Sequence, residues 1–169
     1  LIWDRSDWIT AGWVAGGTGM FIALDGVINN TFKDIRGSAT DSLADIFKPL
    51  GDSSYAFPAL AGFYIFGHVI ENEKAKRTTL IATESVLITS LYTTVLKFSF
   101  GRHRPHNWRR NHADSHTEWD MFSTRHNSFP SGHTATAFAI ATVVANEYEE
   151  TPYIKPISYG LATLTGLSR

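Results

Sequence analysis

The chain has 169 residues, of which 43% are hydrophobic and 18% charged, and its formal net charge at pH 7 is -1. This length suits one domain spanning residues 1–169, and the composition excludes an intrinsically disordered chain. A charge so close to zero argues against a domain built to bind nucleic acid, and the absence of cysteine excludes disulfide frameworks and thiolate metal sites. Any anion site must therefore come from local clustering of basic residues.

Helix after helix is predicted along the first half of the chain. Start and stop signals place helices over residues 4–25, 41–50 and 57–71, the second ending at Gly51 and the third beginning with Pro58 in its first turn. The charged stretch 71–77 that follows has the composition of a solvated helix end or turn. No alternating pattern typical of a strand is present.

The segment 79–100 has the clearest helical periodicity. One stripe contains Leu80, Leu87, Leu91, Val95 and Phe98. Glu84 falls on the same stripe, either as an edge position that reaches water or as a partly buried carboxylate paired with a basic residue. Because charged residues interrupt the segment, we expect a soluble or surface-associated bundle rather than a membrane span.

A polar loop over 102–129 separates this helix from two closing helices, 131–149 and one that starts at Pro152 or Ile157. Loops of this length in a compact domain are usually functional or disordered. The predicted architecture is therefore an all-α helical bundle.

Chemistry is concentrated in three short segments, of which the first to consider is Pro130-Ser131-Gly132-His133. Ser131 precedes an apolar periodic run and is predicted to cap a helix, so Gly132 and His133 lie in a first turn whose N–H groups can bind an anion. His133 can carry a proton near neutral pH and donate it to a departing oxygen. A capped helix with a surface histidine is the alternative.

The second segment adds Lys97, in the last turn of its helix, and Arg104, beside Pro105. A lysine point charge and a planar arginine fork together suit a phosphoryl group. Ordinary basic residues that offset a helix dipole are the alternative. The third segment is Ser168-Arg169 at the end of the chain.

Lys97, six residues, Arg104-Pro105, and then Pro130-Ser131-Gly132-His133 resemble the first two motifs of the type 2 phosphatidic acid phosphatase (PAP2) superfamily. That superfamily includes bacterial acid phosphatases, lipid phosphate phosphatases and vanadium haloperoxidases. Ser168-Arg169 resembles the start of its third motif, which continues with five residues, a histidine, three residues and an aspartate.

The resemblance implies a PAP2/haloperoxidase-type bundle that lacks its C-terminal helix, and a metal-independent phosphatase without a cofactor. Lys97, Arg104 and Arg169 would hold the phosphate oxygens, Ser131 and Gly132 would donate hydrogen bonds, and His133 would be the general acid. The nucleophilic histidine, which forms a phosphohistidine, would lie beyond residue 169, so the 169-residue chain would be inactive and would associate with its missing segment or a second chain.

The resemblance leaves the substrate open between a phosphate monoester and a lipid (pyro)phosphate, and implies a periplasmic or extracytoplasmic site, with association with a membrane surface left open. A vanadate-dependent haloperoxidase is the alternative within the enzymes. A metal-binding module built on His103, His106, His112, Asp114 and His116 is another, and so is a nucleic-acid-binding module built on Arg102, Arg104, Trp108, Arg109 and Arg110.

Overall fold

The structure, a computed structural model, describes residues 4–24, 31, 37–102, 122 and 129–168. Within those residues it contains helices and no β-strand, which confirms the predicted all-α class. The helices are α1 (Arg5–Ala23), α2 (Ser38–Phe47), α3 (Ser53–Val69), α4 (Glu73–Phe100), α5 (Gly132–Glu147) and α6 (Ile154–Leu167), with a 3-10 turn at Lys48–Gly51 between α2 and α3.

Side-chain caps determine where four of these helices begin. Backbone N–H groups of the first turns donate to Asp4, Asp52, Asn72 and Ser131, at 2.7, 2.9, 2.9 and 3.4 Å respectively. Because Asp52 and Asn72 act as caps, α3 and α4 begin several residues before the predicted starts. Pro58 therefore lies inside α3 rather than in its first turn, and the charged stretch that follows α3 supplies the first turn of α4.

Ion pairs connect the start of α4 with the end of α5. The Lys74 ammonium lies 3.0 Å from Glu150 Oε1 and 4.8 Å from the centre of the Tyr148 ring, and Arg77 lies 3.6 Å from Glu147. The two helices pack against each other, and these contacts show that they run antiparallel. The end of α4, which carries Lys97, is consequently beside the start of α5, which carries His133.

The core between the helices consists mostly of small side chains. The buried hydrophobic residues are Ala56, Ala75, Ala82, Val86, Ala137, Ala139, Ala141, Val143, Ala145 and Ala162. Side chains of this size let helices approach closely, and α5 packs against both α4 and α6 in this way.

The large apolar side chains of α4 face outward instead. Leu80, Leu87, Leu91, Val95 and Phe98 are each between 46% and 66% exposed. The stripe identified in the sequence is therefore the outer face of the helix, because the buried face is made of alanine, threonine and Val86. Glu84 on that stripe is exposed, so its interpretation as a partly buried carboxylate is wrong.

Length and composition also allow α4 to cross a membrane. The helix has 28 residues, about 42 Å at 1.5 Å per residue, and contains an 18-residue window of mean hydropathy 1.4 of which 22% is buried. By length and composition α4 could thus be either the bundle helix expected from the sequence or a membrane span, because four of its six charged residues lie within its first five positions.

Candidate active site

The end of α4 and the starts of α3 and α5 line a half-open pocket of about 250 Å³. Among the residues that line it are Asp52 before α3, Lys97 in the last turn of α4, and Gly132 and His133 in the first turn of α5. The antiparallel packing of α4 and α5 is what brings residues so distant in sequence to one place. The pocket is therefore the natural candidate for the functional site.

Lys97 directs its amine towards the first turn of α5. A β-carbon added to Gly132 would lie 3.4 Å from Lys97 Nζ, so the ammonium is adjacent to this glycine. Because residue 132 has no side chain, an anion can reach both the ammonium and the N–H groups at the helix start. The half-buried position of Lys97 reduces screening of its charge by water.

Ser131 serves the same first turn as its cap. Its Oγ accepts a hydrogen bond from the N–H of Thr134 at 3.4 Å. Phe129, two residues before Ser131, packs edge-on against Phe100 with ring centres 5.5 Å apart. This contact holds the residues that precede α5 against the end of α4. The aromatic pair thus fixes the distance between the lysine-bearing and serine-bearing ends of the two helices.

His133 faces a carboxylate that the sequence analysis did not single out. Its Nε2 lies 3.6 Å from Asp52 Oδ2, and the two side chains are 26% and 37% exposed. Hydrogen bonds from the backbone N–H and hydroxyl of Ser54 lower the pKa of Asp52 below its ordinary value of 3.8, and attraction to His133 lowers it further. Asp52 is therefore a carboxylate at every pH where an imidazole changes charge.

The 3-10 turn holds Asp52 in this position by close contact with α5. Gly51 is buried, and a β-carbon there would collide with the carbonyl oxygen of His133 and lie 2.7 Å from its carbonyl carbon. It would also lie 2.8 Å from Thr165 Cγ2 on α6. Because backbone atoms cannot move aside as a flexible side chain can, only glycine allows this approach.

We expect Gly51→Ala to lower the free energy of unfolding by about 1–3 kcal/mol, since the added methyl group forces the turn away from α5. Gly62→Ala in α3 is the matched control: nothing lies within 4 Å of a β-carbon there, so it should stabilise the helix by about 0.5–1 kcal/mol. Urea or thermal denaturation of both variants measures the difference. Equal stability of the two variants would contradict the close approach of the turn to His133.

Of the six residues predicted to form the site, the structure brings Lys97, Ser131, Gly132 and His133 to one end of the bundle. Arg104 and Arg169 lie outside the described residues. Gly166, near the end of α6, lies close to Thr134, since a β-carbon there would be 3.2 Å from Thr134 Cγ2. The end of α6 is therefore beside the first turn of α5.

Asp52 is the main residue that sequence reasoning missed. The signal was present, because Gly51-Asp52-Ser53-Ser54 is a typical helix stop followed by a cap. Its proximity to His133 depends on the packing of the 3-10 turn against α5, which no local pattern encodes. Ser90, Thr93 and Thr94 also line the pocket and were not singled out.

Except for Arg102 of the nucleic-acid alternative, the residues behind the two other functional alternatives lie outside the described part of the chain. These are His103, His106, His112, Asp114 and His116 for a metal, and Arg104, Trp108, Arg109 and Arg110 for nucleic acid. Among the residues that the structure does describe, no group of three or more histidine, cysteine, aspartate or glutamate side chains could hold a metal ion.

Comparison with known proteins relates the chain to a family and to a curated relative. A family model described as the PAP2 superfamily matches residues 78–169, more than half of the chain. Lipid A 1-phosphatase of Porphyromonas gingivalis is 42% identical over 74 residues, which make up 43% of this chain and 13% of that protein. The chain thus matches a small part of a much longer relative. No solved structure matches it.

Proposed function

The chain belongs to the PAP2 superfamily, and on that premise we propose that it carries the phosphate-binding part of an enzyme that hydrolyses a lipid phosphate. The observation that carries the proposal is the pocket where Lys97, Gly132 and His133 meet. Its volume of about 250 Å³ suits a phosphoryl head group, while the rest of a lipid would remain outside.

The charges at the pocket support the binding of a tetrahedral anion. Lys97 supplies a cation next to Gly132, and the start of α5 supplies N–H donors and the positive end of the helix dipole. The negative charge of Asp52 repels a bound anion when His133 is neutral. When His133 is protonated, the Asp52–His133 pair has no net charge and this repulsion is offset. The proposal adds Arg104 and Arg169, by their positions in the family motifs, as the remaining cations.

The proposed reaction has two steps. A histidine of the third motif, beyond Arg169, attacks phosphorus; the bond to the leaving oxygen breaks, and that oxygen takes the proton of His133. Water then attacks the phosphorus of the phosphohistidine, the phosphorus–nitrogen bond breaks and frees the nucleophilic histidine, His133 accepts a proton from that water, and inorganic phosphate leaves. The cations and helix start lower the barrier by stabilising charge on the equatorial oxygens, so the proposal requires no metal.

The comparisons support a lipid substrate and a hydrolase. The relative from P. gingivalis is named for action on lipid A, and its name describes a phosphatase rather than a haloperoxidase. The exposed apolar face of α4, next to the pocket at its Lys97 end, is a suitable surface for the acyl chains of such a substrate.

The proposed function can be tested by measuring phosphate release from a panel of substrates. The sample is a form of the protein that includes the proposed third motif. We expect hydrolysis of lipid A in detergent micelles, with slower hydrolysis of a soluble monoester and no bromination in the presence of vanadate and peroxide. Bromination without hydrolysis would instead make the protein a haloperoxidase. The 169-residue chain should bind inorganic phosphate without turnover, and hydrolysis by that chain alone would refute the need for a nucleophile beyond Arg169.

We also propose that the outer face of α4 contacts lipid, with the pocket on the periplasmic or extracytoplasmic side. The hydroxyls of Thr78, Thr79, Thr83 and Thr94 each donate at 2.8 Å to a carbonyl oxygen one turn earlier, so these side chains do not require water. The helix therefore presents mostly apolar side chains outward, with Glu84 as a charged residue among them, and keeps these hydroxyl groups bonded to its own backbone.

We expect the protein to sediment with membranes, to resist a carbonate wash, and to be released by detergent. Leu87→Lys combined with Leu91→Lys should increase the washed-off fraction several-fold, whereas Lys155→Met on an exposed part of α6 should not change it. A monodisperse species without detergent would contradict lipid contact, and a dimer in that sample would show that a second chain covers the face.

The side of the membrane on which the pocket lies can be measured separately. Since the chain has no cysteine, a single Lys48→Cys in the turn beside the pocket can be labelled with a membrane-impermeant maleimide, and labelling of intact cells is expected.

A further inference from the structure

Asp52 lies next to the proposed general acid although it belongs to a different part of the chain. It caps α3, while its Oδ2 lies 3.6 Å from His133 Nε2 on α5. Asp52 also precedes residues 78–169, the segment that the family model matches. The close contact of Gly51 with the His133 backbone fixes the distance between the two side chains.

We propose that Asp52 is a positioning residue that orients the His133 ring and favours its protonated form, an inference that rests on the proposed function. The cap explains how Asp52 can do this. Its Oδ1 accepts the N–H of Ser54 at 2.9 Å, so the carboxylate is held by the helix start while Oδ2 is directed to His133. A carboxylate fixed in this way limits the rotation of the ring it faces.

Charge gives the second part of the role. Within the part of the chain that the structure describes, two charged side chains from neighbouring elements line the pocket with His133. Lys97 from α4 disfavours a second positive charge, and the anion of Asp52 favours it. Attraction between Asp52 and protonated His133 contributes to the low pKa of Asp52, and by linkage the same attraction favours the imidazolium. Asp52 thus offsets the effect of Lys97.

In the first reaction step, the proton that moves is the one on the ring nitrogen that does not face Asp52. It passes to the leaving oxygen as the bond from that oxygen to phosphorus breaks, and Asp52 stays a carboxylate throughout. In the second step the neutral ring takes a proton from the attacking water. Asp52 therefore acts only through His133.

Asp52→Asn is the decisive variant, because asparagine caps a helix about as well as aspartate but has no charge. We expect kcat for an alkyl phosphate to fall about 10- to 100-fold with little change in KM. This loss is only part of the rate enhancement that a general acid contributes, because His133 itself remains in place. For release of p-nitrophenol in a single turnover of p-nitrophenyl phosphate, whose leaving group needs little protonation, the loss should be below about 3-fold. The alkaline limb of the pH profile should move to lower pH, and Asp52→Glu should restore part of the rate.

Asp4→Asn is the matched control, since Asp4 caps α1 through Ser6 and Asp7, and hydrogen bonds from these residues also lower its pKa. It should leave all of these measurements unchanged. A double variant, Asp52→Asn with His133→Ala, should be no slower than His133→Ala alone, because Asp52 acts through the ring.

The outcomes separate this inference from the proposed function. A wild-type protein that hydrolyses no phosphate ester overturns the proposed function and the role of Asp52 with it. An active wild type with an equally active Asp52→Asn variant overturns the role of Asp52 alone. Equal losses for both leaving groups, or additive losses in the double variant, would show that Asp52 supports the fold and does not act on His133.

Discussion

Replacing His133 by alanine should lower kcat for an alkyl phosphate by about 10²- to 10⁴-fold, the usual contribution of a positioned general acid. The reason is that an alkoxide is a poor leaving group unless a proton reaches its oxygen as the bond breaks. His133 is the histidine of the described chain that lines the pocket, in the first turn of α5. The change is measured by steady-state hydrolysis of the alkyl phosphate.

The matched control for this loss is His68→Ala. His68 is an exposed histidine in the last turn of α3 and does not line the pocket, so its removal should leave kcat within about 2-fold. Binding of inorganic phosphate to His133→Ala, followed by calorimetry, should remain measurable because Lys97 and the start of α5 are still present. Near-normal turnover by His133→Ala would remove this residue from the proposed mechanism.

Replacing Lys97 by methionine should lower kcat/KM by about 10²- to 10³-fold, a loss typical of removing one preorganised donor from an oxyanion site. Methionine keeps most of the aliphatic length and removes the charge that lies next to Gly132. In the proposed mechanism Lys97 contacts phosphate oxygens in the bound substrate and does so more strongly in the transition state, so KM should rise and kcat should also fall. Steady-state kinetics and phosphate titration measure the two effects.

Lys155→Met is the control for the loss of one positive charge, because Lys155 is exposed on α6 and is not among the residues that line the pocket. Lys97→Arg should recover part of the activity, since an arginine retains the charge but directs a wider, planar group at the site. If Lys97→Met bound inorganic phosphate as tightly as the wild type, the assignment of this lysine to the phosphate oxygens would be wrong.

Sequence reasoning was most successful where the determining interactions are local. Ser131 was predicted as a cap and is one, and Gly101 ends α4 in the left-handed conformation with φ 54° and ψ 37°. A cap depends on a hydrogen bond to a residue two or three positions away, so its signal is contained in a short segment. The same holds for the two complete motifs that indicated the family, which the family match then established.

Reasoning from periodicity was less successful for the direction in which α4 faces. The stripe from Leu80 to Phe98 was correctly assigned to a helix, but periodicity alone does not distinguish a core face from an outer face. The structure buries alanine, threonine and Val86 against α3 and α5, because small side chains let these helices approach closely. Because the small residues occupy the buried face of α4, the leucines on its opposite face are exposed.

The amino-acid sequence by itself determined that the chain is helical, approximately where its helices lie, and which motif residues belong to a PAP2 protein, since each of these depends on neighbours within a few positions. Only the tertiary structure placed Lys97 beside Gly132 and Asp52 beside His133. Those pairs are separated by long stretches of chain. They meet because antiparallel packing of α4 and α5 brings two helix ends together, and because Gly51 lets the 3-10 turn approach the backbone of His133.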